Sequence, residues 1–408
     1  MSGESLGATD RVAIVGASLA GLRTAQALRS RGFTGPLTLI GDEPYLPYDR
    51  PPLSKQFLAG EWARSRIELI SEQPAQLDAE WLLGEPAIGL DTATNTVTRA
   101  GGQQITYEAL VIATGSRPRT LQHLTTGQSD RIHLLRTVDD SIRLAAHLQG
   151  SVVIIGAGFI GSEVSSTALG LGLQVTVVEP QAGPMQRVLG GRVSQWLADR
   201  MRASGIELLL DTGVESITAT GPENALRLTL SDGSKLKADC LLVSVGAIPN
   251  TEWLTDSGLV VGDGVVCDEK LFAAERVVAV GDVARALRPD LGRTVRLEHW
   301  TSAVAQAAVA ADNLIHGRAH ARPFTDQPYV WSDQFGLRIE VIGLPAVSDT
   351  PEVIWGSFDG SRFALAYRQD GRITGILGVN AVKPLLNIRR RLNQQPTLDD
   401  DLILAAAS

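Results

Sequence analysis

The chain has 408 residues, enough at roughly 100 to 200 residues per domain for two to four domains, each with its own core. Asp and Glu outnumber Lys and Arg 45 to 37, a formal charge of -8, which argues against general binding to nucleic acid or an anionic membrane and confines any basic docking site to a local patch. Hydrophobic residues at 44% and charged residues at 20% are ordinary for a folded chain, but 41 glycines exceed the typical ~7% and need a location.

The opening MSGESLGATD has two acids and no apolar segment, and no apolar run approaches the ~18 to 20 residues that span a bilayer, so a cytoplasmic location is expected. Residues 11–43, RVAIVGASLAGLRTAQALRSRGFTGPLTLIGDE, and 151–180, SVVIIGAGFIGSEVSSTALGLGLQVTVVEP, share one pattern. Each has a β-branched apolar run, a glycine turn, a stretch of helical apolar spacing and a second apolar run ending in an acid. Each predicts a βαβ unit whose glycines permit a tight turn, backbone approach to a pyrophosphate, and close helix–strand packing. The helix N-terminus then presents N–H groups to the phosphates.

The first copy keeps Gly16 and Gly21 but has Ser18 in the middle, whose Cβ restricts how closely the backbone approaches a phosphate; Asp42 is its ribose candidate. The second copy is complete, with Gly156, Gly158 and Gly161, and Glu179 is placed to accept from a ribose 2′-hydroxyl and to repel a 2′-phosphate, which favours NAD over NADP. Both copies continue alike, through NTVTRAGGQQITYEALVIATGSRP in one and LRLTLSDGSKLKADCLLVSVGAIP in the other, where Asp232-Gly233 is a hairpin turn signal. They close on Gly115 before Pro118 and on Gly246 before Pro249. The repetition predicts a pair of dinucleotide sites.

Further on, EHWTSAVAQAAVAADNLIHG predicts a helix from about 302 to 316 with Thr301 or Ser302 as N-cap and Gly317 as its stop. After residue 322, Asp359-Gly360 and Asp370-Gly371 punctuate short runs at hairpin spacing and predict an antiparallel meander. KPLLNIRRRLNQQ, with Arg389, Arg390 and Arg391, is either a basic patch or a solvated helix face. The two cysteines, Cys240 and Cys267, sit in apolar runs with neither disulfide-framework nor metal spacing, and with none before residue 240 a thiol relay has no sulfur to use. No metal site is expected.

The run PYDRPPLSK at 47–55 is followed in order by ATGSRPR, LRTVDD, GFIGSE, VGAIPN, VAVGDVA, EHWTSAVAQA and PYVWSDQFGLRIE. Together these resemble the NADH-dependent ferredoxin reductases of bacterial cytochrome P-450 and aromatic-ring dioxygenase systems, from about residue 10 to about 390. The resemblance implies an α/β, glutathione-reductase-like fold with two Rossmann-type nucleotide-binding domains plus a C-terminal α+β domain. It implies an FAD domain at 1–119 and 245–322, an NAD domain at 120–244, and a domain at 323–408 that completes the flavin site and partner surface. FAD is the implied cofactor and NADH the co-substrate. The implied reaction passes a hydride from NADH to FAD and then single electrons to a 2Fe-2S ferredoxin.

The resemblance carries residues with it. For FAD it implies Gly16, Ser18, Ala20, Gly21 and Asp42 in the first fingerprint, Arg50 and Lys55 in the proline-rich run, and Ala87 beyond it. Ala113, Thr114 and Gly115, then Arg136, and finally Gly281, Asp282, His299 and Trp300 complete that set; Arg117 is a further motif position near FAD. For NAD it implies Gly156, Gly158, Phe159, Ile160, Gly161, Glu163, Glu179 and Gly246. Lys55 and Glu163 are the implied pair at the nicotinamide side, with Trp331 toward the ferredoxin face. Two rivals stay open. One is a rubredoxin reductase, with the same flavin chemistry and a different acceptor. The other is a slow-turnover, NADH-responsive binding flavoprotein akin to apoptosis-inducing factors, against which the compact length and the opening segment count.

Overall fold

A computed structural model of the chain describes residues 5–70, 77–127, 129–219, 226–347, 350–394 and 398–407. The first four residues of the opening segment and Gln395 of the basic stretch lie outside the described residues. The chain divides into two compact units, one of Met1–Asp49, Ile67–Arg117 and Ile248–Pro328, the other of Arg50–Arg66, Pro118–Ala247 and Tyr329–Ser408. Among the described residues no helix is long and apolar enough to cross a membrane.

In the first unit, strand Val12–Val15 lies between Leu37–Ile40 and Ala109–Ile112, parallel to both. Strands Ala79–Leu82, Val277–Ala279 and Phe272–Ala274 extend this to six, only the last pairing being antiparallel. The central strands are apolar at every position because both faces are covered. On one face Leu22, Ala25 and Leu28 of helix Leu19–Ser30 are fully buried, each leucine worth ~1.5–3 kcal/mol of transfer free energy. The NTVTRAGGQQIT stretch forms a hairpin of Thr96–Arg99 and Gln104–Thr106, antiparallel, with Ala87–Asp91 on its other side.

Helix Trp300–His316 begins earlier than the sequence pattern suggests, with His299 and not Thr301 or Ser302 as its N-cap. The indole of Trp300 donates to Asp49 at 2.7 Å and holds that residue in the first turn, while Ser302 is buried within it. Gly317 ends the helix at φ 75°, as expected.

In the second unit, Ser151–Ile155 lies between Gln174–Val178 and Cys240–Val243, with Ile132–His133 and Glu207–Leu209 at the edges, all parallel. The Asp232-Gly233 hairpin joins Leu226–Leu230 to Lys235–Ala238. Residues beyond 328 form a five-stranded antiparallel sheet, but not a simple meander: the order is Tyr329–Gln334, Leu337–Gly343, Arg372–Val379, Arg362–Gln369, Glu352–Ser357. The chain leaves the second strand at Gly343 and crosses the last strand's start, where Pro345 sits so close that a Cβ on Gly375 would lie 2.6 Å from its nitrogen. Asp370-Gly371, both at positive φ, make the expected tight turn. Helix Val382–Gln394 packs Leu385, Ile388 and Leu392 into this sheet's core.

Candidate functional site

In the first unit the turn after Val12–Val15 is shaped by glycine. Gly16 has φ 115°, and a Cβ there would lie 2.1 Å from the Ala113 carbonyl; one on Gly21 would lie 2.0 Å from the Gly16 carbonyl. Position 18 differs in kind. Ser18 is the N-cap of helix Leu19–Ser30 in extended backbone that any residue adopts, and its hydroxyl makes no cap bond. Serine therefore replaces glycine without strain and leaves the helix N-terminus uncovered by its own side chain. Asp42 is exposed, and its carboxylate accepts from the Glu43 amide.

The same unit gathers more of the expected residues. Ala113 is buried, Gly115 is at φ 64°, and the Thr114 hydroxyl donates to the Asn250 carbonyl at 2.8 Å while the Asn250 amide donates back to the Thr114 carbonyl at 2.9 Å. Arg117 is committed to Glu252 and Asn250. Gly281 is at φ 76°, packed against Ala20, and its amide donates to the buried Gln306 side chain at 2.7 Å. Asp282 accepts from Ser116 at 3.0 Å. His299, at an N-terminus with no side-chain cap bond, is held neutral by burial, its imidazole pushed down to about 4. Ala87 opens the strand beside the hairpin. Glycine turns at the strand ends, a bare helix N-terminus and a carboxylate at a glycine turn fit FAD.

In the second unit Gly156 has φ 101° and Gly161 packs against it, a Cβ on Gly161 lying 2.0 Å from the Gly156 carbonyl. Around Gly158 a Cβ would meet nothing within 4 Å, so packing does not require glycine there. Helix Phe159–Gly170 starts there, with Ile160 exposed. Glu179 is buried, one oxygen accepting from the Ala157 amide at 2.7 Å and the other from Gln181 at 2.9 Å. The Glu179 carboxylate thus ties the fingerprint loop to the end of the second strand. Gly246, at φ 100°, closes the unit's last parallel strand.

Three residues implied for FAD, Arg50, Lys55 and Arg136, lie in this second unit. The Arg50 guanidinium donates to the Arg136 carbonyl at 2.5 Å. Lys55 follows the short helix Pro51–Ser54, and its ammonium lies 2.7 Å from Glu163, the side chains being 11% and 8% exposed. Ser54 also donates to Glu163, at 2.5 Å, and Ser332 donates to its other oxygen at 2.7 Å. Trp331 stacks on Tyr329, whose hydroxyl donates to the buried Glu340, and Arg389 lies 3.9 Å above the Tyr329 ring. Arg390 and Arg391 are exposed. Sequence reasoning missed Ser54, Ser332 and Gln306. All three lie inside the quoted runs PYDRPPLSK, PYVWSDQFGLRIE and EHWTSAVAQA, but nothing local in those runs sets them apart.

Two fingerprint units of this geometry define a flavoprotein oxidoreductase that takes FAD as cofactor and NADH as reductant. The pyridine nucleotide-disulphide oxidoreductase model matches residues 10–307 and the reductase C-terminal model residues 329–407. The chain belongs to the pyridine nucleotide-disulphide oxidoreductase family, in the group that carries the reductase C-terminal domain. It is 34% identical to rhodocoxin reductase of Rhodococcus erythropolis, covering 97% of this chain and 94% of the relative. It is 35% identical to the ferredoxin reductase component of chlorobenzene dioxygenase from Cupriavidus sp. (strain PS12), over 95% and 93%, and 33% identical to a rubredoxin-NAD(+) reductase of Ectopseudomonas oleovorans, over 84% and 88%. The reductase in a covalent putidaredoxin reductase–putidaredoxin complex superposes with a TM-score of 0.89 at 30% identity, covering 98% of this chain and 99% of that one.

Proposed function

We propose that this chain is a cytoplasmic NADH:ferredoxin oxidoreductase that delivers single electrons to a 2Fe-2S ferredoxin serving a cytochrome P-450 or a ring-hydroxylating dioxygenase. The observation that carries the acceptor is full-length likeness to a ferredoxin reductase component, C-terminal domain included. FAD, when bound, supplies the conversion of a two-electron hydride into two single electrons. Residues 1–119 and 245–322 bind it, 120–244 bind NADH, and 323–408 complete the flavin site and meet the partner.

The chain's own residues bind and orient. The uncovered helix N-terminus at Ser18 and the turns at Gly16 and Gly281 would hold FAD, with Asp282 and Asp42 as hydrogen-bond acceptors for it. The open face of Gly158 takes the NADH pyrophosphate, and Glu179 takes the ribose hydroxyl and rejects a 2′-phosphate. Lys55, fixed by Glu163, supplies positive charge for the hydride-transfer step. Trp331 serves electron exit. No thiol takes part: burial pushes both Cys240 and Cys267 up to about 12, far from a reactive thiolate.

A rubredoxin acceptor is the second reading, favoured by the rubredoxin-NAD(+) reductase match. Mixing NADH-reduced protein anaerobically with 2Fe-2S ferredoxin or with rubredoxin separates the two. The ferredoxin should be reduced at least tenfold faster; faster reduction of rubredoxin would exchange the readings.

A further inference from the structure

Glu163 accepts three hydrogen bonds inside the second unit, and one of them comes from the C-terminal sheet. Ser332 lies in the strand Tyr329–Gln334, which packs along helix Phe159–Gly170, and its hydroxyl reaches the Glu163 oxygen not shared by Lys55 and Ser54. One turn on, the Phe335 amide donates to the Ser166 hydroxyl at 2.7 Å, so the strand grips the helix at two successive points on one face.

The direction of the Ser332 bond is set by Glu163, whose carboxylate can only accept, and Gln334 holds the serine oxygen from the other side. A hydroxyl has one proton and two acceptor positions. Gln334, on the same face of the strand two residues on, donates its amide to the Ser332 oxygen at 2.9 Å, leaving the serine proton for Glu163. Both Ser332 and Gln334 are buried, at 0% and 2% exposure. The Gln334 carbonyl oxygen has no hydrogen-bond partner among the described residues. With Oε1 held by Ser332, the carboxylate plane is fixed and Oε2 is directed at Lys55, which borders a cleft of about 490 Å³ lined in part by Asp333, Gln334 and Arg338.

We propose that Ser332, oriented by Gln334, is a positioning residue for the hydride-transfer step: it fixes the Glu163 carboxylate, which in turn fixes the Lys55 ammonium. This rests on the role given above to Lys55 and Glu163, and it assigns the C-terminal domain a part in nucleotide oxidation besides partner binding.

The test uses the holoenzyme with Ser332→Ala, Ser332→Thr and Lys55→Met. Labelling of Lys55 by an amine-directed reagent at fixed pH, read by peptide mass spectrometry against Lys235, reports whether the ammonium is held and does not depend on turnover. In Ser332→Ala, Lys55 labelling should rise severalfold with Lys235 unchanged, and the limiting rate of flavin reduction should fall about tenfold at an unchanged half-saturating NADH concentration. Ser332→Thr, which keeps the hydroxyl, should restore both. Lys55 labelling in Ser332→Ala identical to wild type overturns the positioning role. Reduction of Lys55→Met at the wild-type rate overturns instead the catalytic role of the lysine, whatever the labelling shows.

Discussion

The Lys55 ammonium lies 2.7 Å from the Glu163 carboxylate although the two residues are 108 positions apart and nearly buried. Removing one member of a buried pair leaves the other uncompensated, which costs ~3–5 kcal/mol, whereas removing both charges is far milder. Glu163→Ala and Lys55→Met should each lower the denaturation midpoint and slow NADH-dependent flavin reduction in stopped flow. Lys55→Met combined with Glu163→Gln should regain most of the stability and none of the rate. Wild-type reduction rates in both single variants would remove the pair from the mechanism.

The glycines of the second fingerprint separate folding from binding. Gly161→Ala would drive a Cβ to 2.0 Å from the Gly156 carbonyl and should prevent soluble expression or cost several kcal/mol. Gly158→Ala meets open space, so its melting temperature should match wild type while the half-saturating NADH concentration rises about tenfold. Equal stability losses in the two variants would contradict the division.

Two histidines make acid stability predictable. Burial, with help from His147 and Arg143, pushes His133 down to about 4, and burial pushes His299 down to about 4 as well. Both values lie under the ~6.5 of an unfolded histidine, so the native state binds fewer protons than the unfolded one in between. Their contribution is complete above about pH 6.5 and is lost as pH falls toward 4. Urea midpoints should therefore fall between pH 7 and pH 5, and His133→Leu should lessen the fall. The same decline in wild type and variant would show that His133 is not the cause.

Trp331 stacks on Tyr329 in the strand that also bears Ser332. With Trp331 as part of the electron exit, Trp331→Ala should reduce electron delivery to ferredoxin by about tenfold while ferricyanide reduction changes much less. Equal effects on both acceptors would dispose of that role.

The fingerprints, both hairpins after them and the Gly317 helix stop were legible because each depends on local chemistry: a positive φ, a β-branched run, an acid at a strand end. The first turn of helix Trp300–His316 was not, because the Trp300–Asp49 bond that sets it spans 251 residues. Nor was the order of the C-terminal sheet, which depends on chain crossing at Gly375 and not on turn residues. The site was half legible for the same reason. Lys55 and Glu163 matched motif positions of known role, whereas Ser332 and Gln334 lie inside the run PYVWSDQFGLRIE with nothing local to set them apart, and their contacts appear only where that strand meets the second fingerprint helix.

The proposed reaction is oxidation of NADH with delivery of its two electrons, one at a time, to a 2Fe-2S ferredoxin. Steady-state cytochrome c reduction by the purified holoenzyme, with and without added ferredoxin and with NADH against NADPH, tests it most directly. Rapid reduction is expected only with NADH and ferredoxin together, at least ~100-fold above either omission or NADPH. Slow turnover with every carrier, or equal rates with and without ferredoxin, would contradict it.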